Sequence, residues 1–189
     1  MTLTRNNLTV IISTVLMLLT TKSQAYVQQD TSDSKPNLSW LNLGLGVGSI
    51  GLSAGASFSY NFGSSLISIR SVANSEFKIF GPSPSENVWD LGVLYGRSAK
   101  ASYGVASISG GIAIVGGVRR GRYLGSTGGF FSSDKYESLT FSTIGIPIEG
   151  QLFWTPFSFF GIGIYGFGNL NPEQSFAGAL LCLEFGEVR

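Results

Sequence analysis

The side chains able to do chemistry are few. The 189-residue chain has no His and a single Cys, Cys182. Without His there is no Ser-His-Asp or Cys-His constellation, no imidazole acid/base pair and no His-containing zinc set. With one Cys there is neither an intramolecular disulfide nor a CxxC site. The carboxylates Glu149 and Glu184 have no partner whose spacing argues general acid/base work. A Ser/Lys or carboxylate-pair enzyme stays formally open, but the expectation is a non-enzyme with no catalytic residues, no cofactor and no metal ligands. Arg119, Arg120 and Arg122 form the densest cationic group, and each offers a planar fork of N–H donors suited to phosphate. They open a segment containing Gly125-Ser126-Thr127-Gly128-Gly129-Phe130-Phe131, whose glycines give freedom and whose Phe pair is available for apolar contact. The Lys-Ser/Thr ending of a phosphate-binding P-loop is missing from it.

The framework that must hold these groups has an uncommon composition. Hydrophobic residues make up 43%, charged residues only 12%, and 26 residues are Gly. Globular proteins average about 25% charged residues and about 7% Gly, so an ordinary soluble enzyme is disfavoured. The length suits one sizeable domain and makes two a squeeze. A formal charge of +1 gives no whole-chain pull towards nucleic acid.

Residues 1–25 read as a secretory signal peptide. Arg5 precedes an apolar run from Leu8 to Leu19, and Ser23-Gln24-Ala25 puts small residues where a signal peptidase reads. The run is shorter than the roughly 20 residues a membrane-spanning helix needs. Cleavage after Ala25 removes Arg5 and Lys22, leaving 10 basic against 11 acidic residues from the original 12 and 11. Residues 26–37 are polar and aperiodic, a flexible lead-in to a domain spanning 38–189.

From Leu52 to Phe62 every apolar or aromatic residue falls on an even position and every small or polar one on an odd position, the signature of a strand with two unlike faces. Leu41, Leu43, Leu45 and Val47 alternate likewise with Asn42, Gly44, Gly46 and Gly48. The polar faces carry Gly, Ser and Asn rather than the Lys, Glu and Arg of a soluble sandwich, which points to a confined interior. Eight strands are expected, at 39–48, 52–62, 65–78, 88–97, 102–118, 137–154, 157–168 and 175–186. In the fifth, Tyr103 and Val105 are out of phase with Ile108, Ile112 and Ile114, so a bulge is expected near Ala106 or Ser107.

A sheet that spans a membrane must close, because an open edge leaves N–H and C=O groups unpaired in hydrocarbon, and an even strand number returns both termini to one side. The expected fold is therefore all-β: an eight-stranded antiparallel up-and-down transmembrane β-barrel. Its connectors sort by side, with short ones near 63–64, 98–101 and 155–156 and the others at 49–51, 79–87, 119–136 and 169–174. Such barrels place short turns in the periplasm and longer loops outside, a rule that only the first outer connector breaks. Tyr60, Phe62, Tyr95, Tyr103 and Trp154 fall near the short turns, as an interfacial aromatic girdle requires, and Trp89 falls at the other rim.

With its signal peptide, its Ile144-Gly145-Ile146-Pro147-Ile148-Glu149-Gly150 strand and its ending from Asn169 through Phe185-Gly186, the chain resembles the small eight-stranded outer-membrane barrels of Gram-negative bacteria. These are the OmpX and OmpA-transmembrane-domain kind, and more narrowly the outer-membrane barrel families of Bacteroidota. Many such barrels end on an aromatic residue, whereas this chain continues from Phe185 to Arg189. The resemblance implies a bacterial outer-membrane location with periplasmic termini, and as partners outer-membrane lipids, the assembly machinery and a surface partner not named by the sequence. It also places Arg119, Arg120 and Arg122 near lipopolysaccharide phosphates. The enzymatic barrels of that location, lipid A acyltransferases, lipid A deacylases and omptin proteases, depend on a His that is absent here.

Parity turns Asn42, Asn61, Arg70, Asp90, Glu149, Gln151 and Glu184 inward, where an ion-pair and amide network is expected, with Cys182 as a small filler. The function expected is non-catalytic, structural or surface-interacting through the outer loops. A narrow pore for small solutes or ions is the alternative, and a secreted ligand-binding barrel is a third reading, although its apolar face should point inward.

Overall fold

The computed structural model describes residues 38–77, 82–127 and 133–187. The signal segment, the lead-in and residues 128–131 of the Gly-Phe stretch lie outside the described residues. Eight strands follow one another: β1 (Leu38–Gly48), β2 (Leu52–Phe62), β3 (Ser65–Ser75), β4 (Asn87–Ala101), β5 (Gly104–Thr127), β6 (Ser133–Phe157), β7 (Phe160–Leu170) and β8 (Phe176–Gly186). Each pairs antiparallel with the next, and β1 closes on β8 from Trp40 opposite Gly186 to Gly48 opposite Gly178. The result is a closed up-and-down barrel with no free edge along its wall.

Alternation along each strand sets the two faces. Leu41, Leu43, Leu45 and Val47 point out from β1, and Ile162 and Ile164 of β7 continue that belt past Leu181 and Leu183 of β8. Leu45 is 72% exposed, Leu181 69% and Ile144 70%, so among the described residues the outer surface is a sheath of exposed aliphatic side chains. An apolar patch of that extent marks a surface made to meet another apolar phase. Small and polar residues point in, and the small barrel needs them: a Cβ on Gly44 would lie 2.2 Å from Cys182 Sγ and 3.0 Å from Leu180 Cβ. Gly44→Ala is therefore expected to cost about 1–3 kcal/mol in equilibrium unfolding, with part recovered when Cys182→Ala is added. If the single variant is as stable as the parent, the tight approach of β1 to β8 is wrong.

At one end, beside the start of β1 and the end of β8, sit two-residue turns at 63–64, 102–103 and 158–159. Gly63 adopts a φ of +70° there, in the left-handed region open to glycine. Several of the sequence-derived strand limits move. β3 stops at Ser75 instead of 78, β4 runs on to Ala101 and β6 to Phe157, so the turns expected at 98–101 and 155–156 fall at 102–103 and 158–159; β7 shifts to Phe160–Leu170, and β5 and β6 run through most of the connector expected at 119–136. The bulge expected near Ala106 is absent. Pairing of β4 with β5 is unbroken from Gly104 to Val118, Val105 points inward, and Tyr103 belongs to the turn, so its parity carries no information. The register shifts lie higher, between Arg120 and Tyr123 and between Tyr123 and Gly125.

β5 and β6, at 24 and 25 residues, far exceed the 11 residues of β1, β2, β3, β7 and β8. β4 pairs with β5 only as far as Val118, and β7 pairs with β6 only from Ile146 onward. Residues 119–127 and the facing part of β6 therefore form a two-stranded ribbon projecting roughly 30 Å at about 3.4 Å per residue.

Candidate functional site

Two regions gather polar side chains: the barrel lumen and the base of the ribbon. In the lumen, Arg70 of β3 donates through Nη2 to Asp90 Oδ2 at 2.7 Å and to the Gly168 carbonyl at 2.9 Å. Its Nη1 donates to the Ile148 carbonyl at 3.0 Å and lies 3.9 Å from Glu149 Oε2. Asn169 Nδ2 also donates to Asp90, at 2.8 Å. Glu149 accepts from Ser109 Oγ at 2.7 Å, Ser68 Oγ at 2.9 Å, Gln151 Nε2 at 3.1 Å and the Tyr165 hydroxyl. Gln151 in turn accepts from Asn42 Nδ2 at 3.2 Å, and Asn42 donates also to Ser57.

The connected path Asp90, Arg70, Glu149, Gln151, Asn42 crosses the lumen from β4 through β3 and β6 to β1. Each of these five side chains is buried. In surroundings of low dielectric such bonds are stronger than in water, and a charge left without its partner is correspondingly costly. An apolar cluster, with Phe153, Phe167 and Phe176 among its members, fills much of the remaining space. The lumen of an eight-stranded barrel is just wide enough for its own side chains, and this one is braced across by an ion-pair network.

Five of the seven side chains read as inward from the sequence thus join one network, and two do not. Asn61 bonds to the Ser65 carbonyl and to Ser98 near the turns, and Glu184 has no hydrogen-bond partner among the described residues at either carboxylate oxygen. Five buried members went unread: Ser57, Ser68, Ser109, Tyr165 and Asn169. Tyr165 was within reach of parity, since it alternates with outward Ile162 and Ile164. Asn169 fell outside the seventh strand as the sequence delimits it, and β7 continues to Leu170.

At the base of the ribbon the three arginines part company. Arg120 pairs with Glu76, lies 4.0 Å from Glu86, donates its backbone N–H to Glu86 Oε1 at 3.1 Å and its Nε–H to the Pro84 carbonyl at 3.0 Å. It is a tie between the ribbon and the connector that joins β3 to β4. The same connector adds Ser83 to β6 by a parallel bridge to Lys135, with Ser83 N–H donating to the Asp134 carbonyl and Tyr136 N–H to the Ser83 carbonyl. Arg119 pairs with Glu173 at 3.2 Å with both side chains well exposed, a contact of small energetic value. Arg122 is exposed. Two of the three guanidinium groups are thus already engaged by carboxylates, which the sequence spacing alone did not signal.

Tyr60, Phe62, Trp89, Tyr95, Tyr103 and Trp154 all project from the outer wall. Phe157 and Phe159 at the β6–β7 turn also project, with ring centroids 5.9 Å apart, and were not singled out in the sequence.

No family model matches the sequence, and no curated protein does. Among solved structures the chain is similar to the N-terminal β-barrel domain of Pseudomonas aeruginosa OprF, with a TM-score of 0.54 and 12% identity over 79% of this chain and 97% of that one. It is similar also to Neisserial surface protein A, at a TM-score of 0.53 and 10% identity over 80% and 95% of the two chains. The attachment invasion locus protein Ail of Yersinia pestis, solved with the heparin analogue sucrose octasulfate, gives a TM-score of 0.51 and 11% identity over 80% and 99%. The fold is that of the small eight-stranded transmembrane β-barrels.

Proposed function

We propose that this chain is an exported outer-membrane β-barrel, with its termini in the periplasm, that acts without catalysis by presenting the β5–β6 ribbon to a partner at the cell surface. One observation carries the reading: residues 119–127 of β5 pair with β6 beyond the last residue of β4, so among the described residues no third strand runs beside that stretch of β5, and its Arg120 N–H is taken by Glu86. An isolated two-stranded hairpin is marginal in water, and an open edge is a template for another strand. Here the ribbon is held up by Arg120, Glu76, Glu86 and the Ser83 bridge rather than left to collapse. The aliphatic sheath supports burial in lipid, and the outward Trp and Tyr side chains near the strand ends support anchorage at its two interfaces. The amino-terminal 25 residues act as the export signal.

The buried state of Cys182 makes the orientation easy to test. Ser138→Cys, on the ribbon, should react with a membrane-impermeant maleimide in intact cells, and Ser64→Cys, at a short turn, only after the envelope is permeabilised. The parent with Cys182 alone should stay unlabelled in both. Labelling of Ser64→Cys first would invert the barrel and remove the ribbon from the surface. In whole-cell partner capture, replacing the ribbon by a short turn is expected to abolish binding while the barrel still folds.

A further inference from the structure

The β6 side of the ribbon carries a stretch of strand edge bounded at both ends. β7 covers β6 only from Ile146, which stands opposite Leu170, down to the turn. Higher up, Ser83 donates its N–H to the Asp134 carbonyl and accepts from the Tyr136 N–H, while Lys135 between them pairs with Gly125 of β5. Neighbouring residues of a strand turn their backbone groups to opposite edges, so Ser83 sits on the edge away from β5, the one that β7 covers below. Residues 137–145 lie between these two contacts, and among the described residues no strand runs beside them on that edge, roughly 30 Å at about 3.4 Å per residue. The β7–β8 connector starts where this slot starts but folds back on itself. Asn171 Oδ1 accepts from the backbone N–H groups of Glu173 at 3.1 Å and Gln174 at 2.7 Å, and Asn171 Nδ2 donates to the Gln174 carbonyl at 2.9 Å.

The residues along the slot do nothing to protect it. Natural sheet edges are blunted by Pro, Lys, bulges or inward charges. Ser138-Leu139-Thr140-Phe141-Ser142-Thr143-Ile144 has no Pro, no Gly and no charge, and most of its residue types favour strand. Its pairing with β5 runs unbroken from Ser138 to Gly145, so the edge is regular as well as bare. Ser138, Leu139, Thr140 and Ser142 are exposed and Phe141 is half-buried. Leu139 and Phe141 fall on one face, Ser138, Thr140 and Ser142 on the other, so a strand laid beside them meets an apolar row and a hydroxyl row. The β5 edge of the ribbon is less suited, because Glu86 already takes the Arg120 N–H. A second copy in the same membrane fits poorly: its strands run down the same way at a tilt of about 35–45°, so two facing β6 edges cross instead of pairing. A glycan has no row of backbone donors and acceptors to offer.

We propose that this slot takes an extended, uncharged polypeptide segment of another protein, alternating apolar residues with Ser or Thr, as an added strand continuing the line of β7. The proposal rests on the surface presentation of the ribbon and names the edge and the partner chemistry. The probe is a labelled peptide of alternating Val and Thr with a Lys tail, titrated by fluorescence anisotropy against the full barrel refolded in detergent. The parent should bind it saturably. The same peptide N-methylated throughout has no backbone donors and should bind more weakly by about threefold to tenfold for each bond lost. Thr140 lies an even number of residues from Tyr136, so its N–H points into the slot, and Pro there removes that donor while sparing the β5 ladder. Thr140→Pro should weaken binding about tenfold and keep the parent's unfolding midpoint. No saturable binding by the parent would overturn the proposal, as would equal binding of the N-methylated peptide or an unchanged affinity in Thr140→Pro. A parent dimer in micelles that Thr140→Pro abolishes would give the slot to a second copy and overturn it too. If Thr140→Pro does not fold, the N-methylated peptide decides alone. Ser138→Cys labelling in intact cells separates this proposal from the reading beneath it: labelling without peptide binding sinks the slot alone, and no labelling sinks both.

Discussion

Arg70→Ala is expected to destabilise the refolded barrel by about 3–5 kcal/mol, because it strips the counter-charge from carboxylates that stay buried. Arg70 and Asp90 are both shielded from solvent, their contact is 2.7 Å long, and Glu149 lies 3.9 Å away, so neither acid gains water when the guanidinium goes. The carbonyls of Ile148 and Gly168 lose a donor in the same step. Asp90→Asn combined with Arg70→Met should cost far less than Arg70→Ala, since removing both charges leaves less to compensate. Urea unfolding of the two variants beside the parent measures this directly. An Arg70→Ala barrel as stable as the parent would mean that the lumen network contributes nothing to stability. The same brace predicts silence in planar bilayers, and stepwise conductance would show that the lumen opens.

Leu181→Arg carries the other large effect. Leu181 sits midway along β8 between Leu45 and Ile164, and all three face outward. In a lipid-embedded barrel, Arg at mid-depth costs about 2–4 kcal/mol. On a barrel surrounded by water, the same exposed position should tolerate Arg to within about 0.5 kcal/mol. Folding titrations in lipid vesicles separate these values cleanly. A neutral substitution would contradict the assignment of the aliphatic sheath to hydrocarbon.

The sequence displayed the barrel well because its signal is local. Alternation of Leu41 to Val47 with Asn42 to Gly48 assigns each residue a face without any knowledge of its partner strand. It displayed the ribbon poorly, because Gly121 and Gly125 interrupt the alternation and two register shifts between Arg120 and Gly125 flip the faces within six residues. What read as a long loop is therefore mostly paired strand. The partners of the inward side chains were beyond local reading for a different reason. Asn42 and Gln151 meet across 109 residues of chain, a contact fixed by closure and register rather than by spacing. The partners of Arg119 and Arg120 show the same limit: Glu173, Glu76 and Glu86 come from other connectors, and only the folded rim brings them to the ribbon.

Whether this barrel folds in lipid is read most directly from membranes of expressing cells, fractionated, with the detergent-solubilised protein run on a gel with and without boiling. Recovery in the outer-membrane fraction is expected, with a folded form whose mobility shifts on heating. Recovery in the soluble periplasm or the medium, with one mobility before and after boiling, would contradict it.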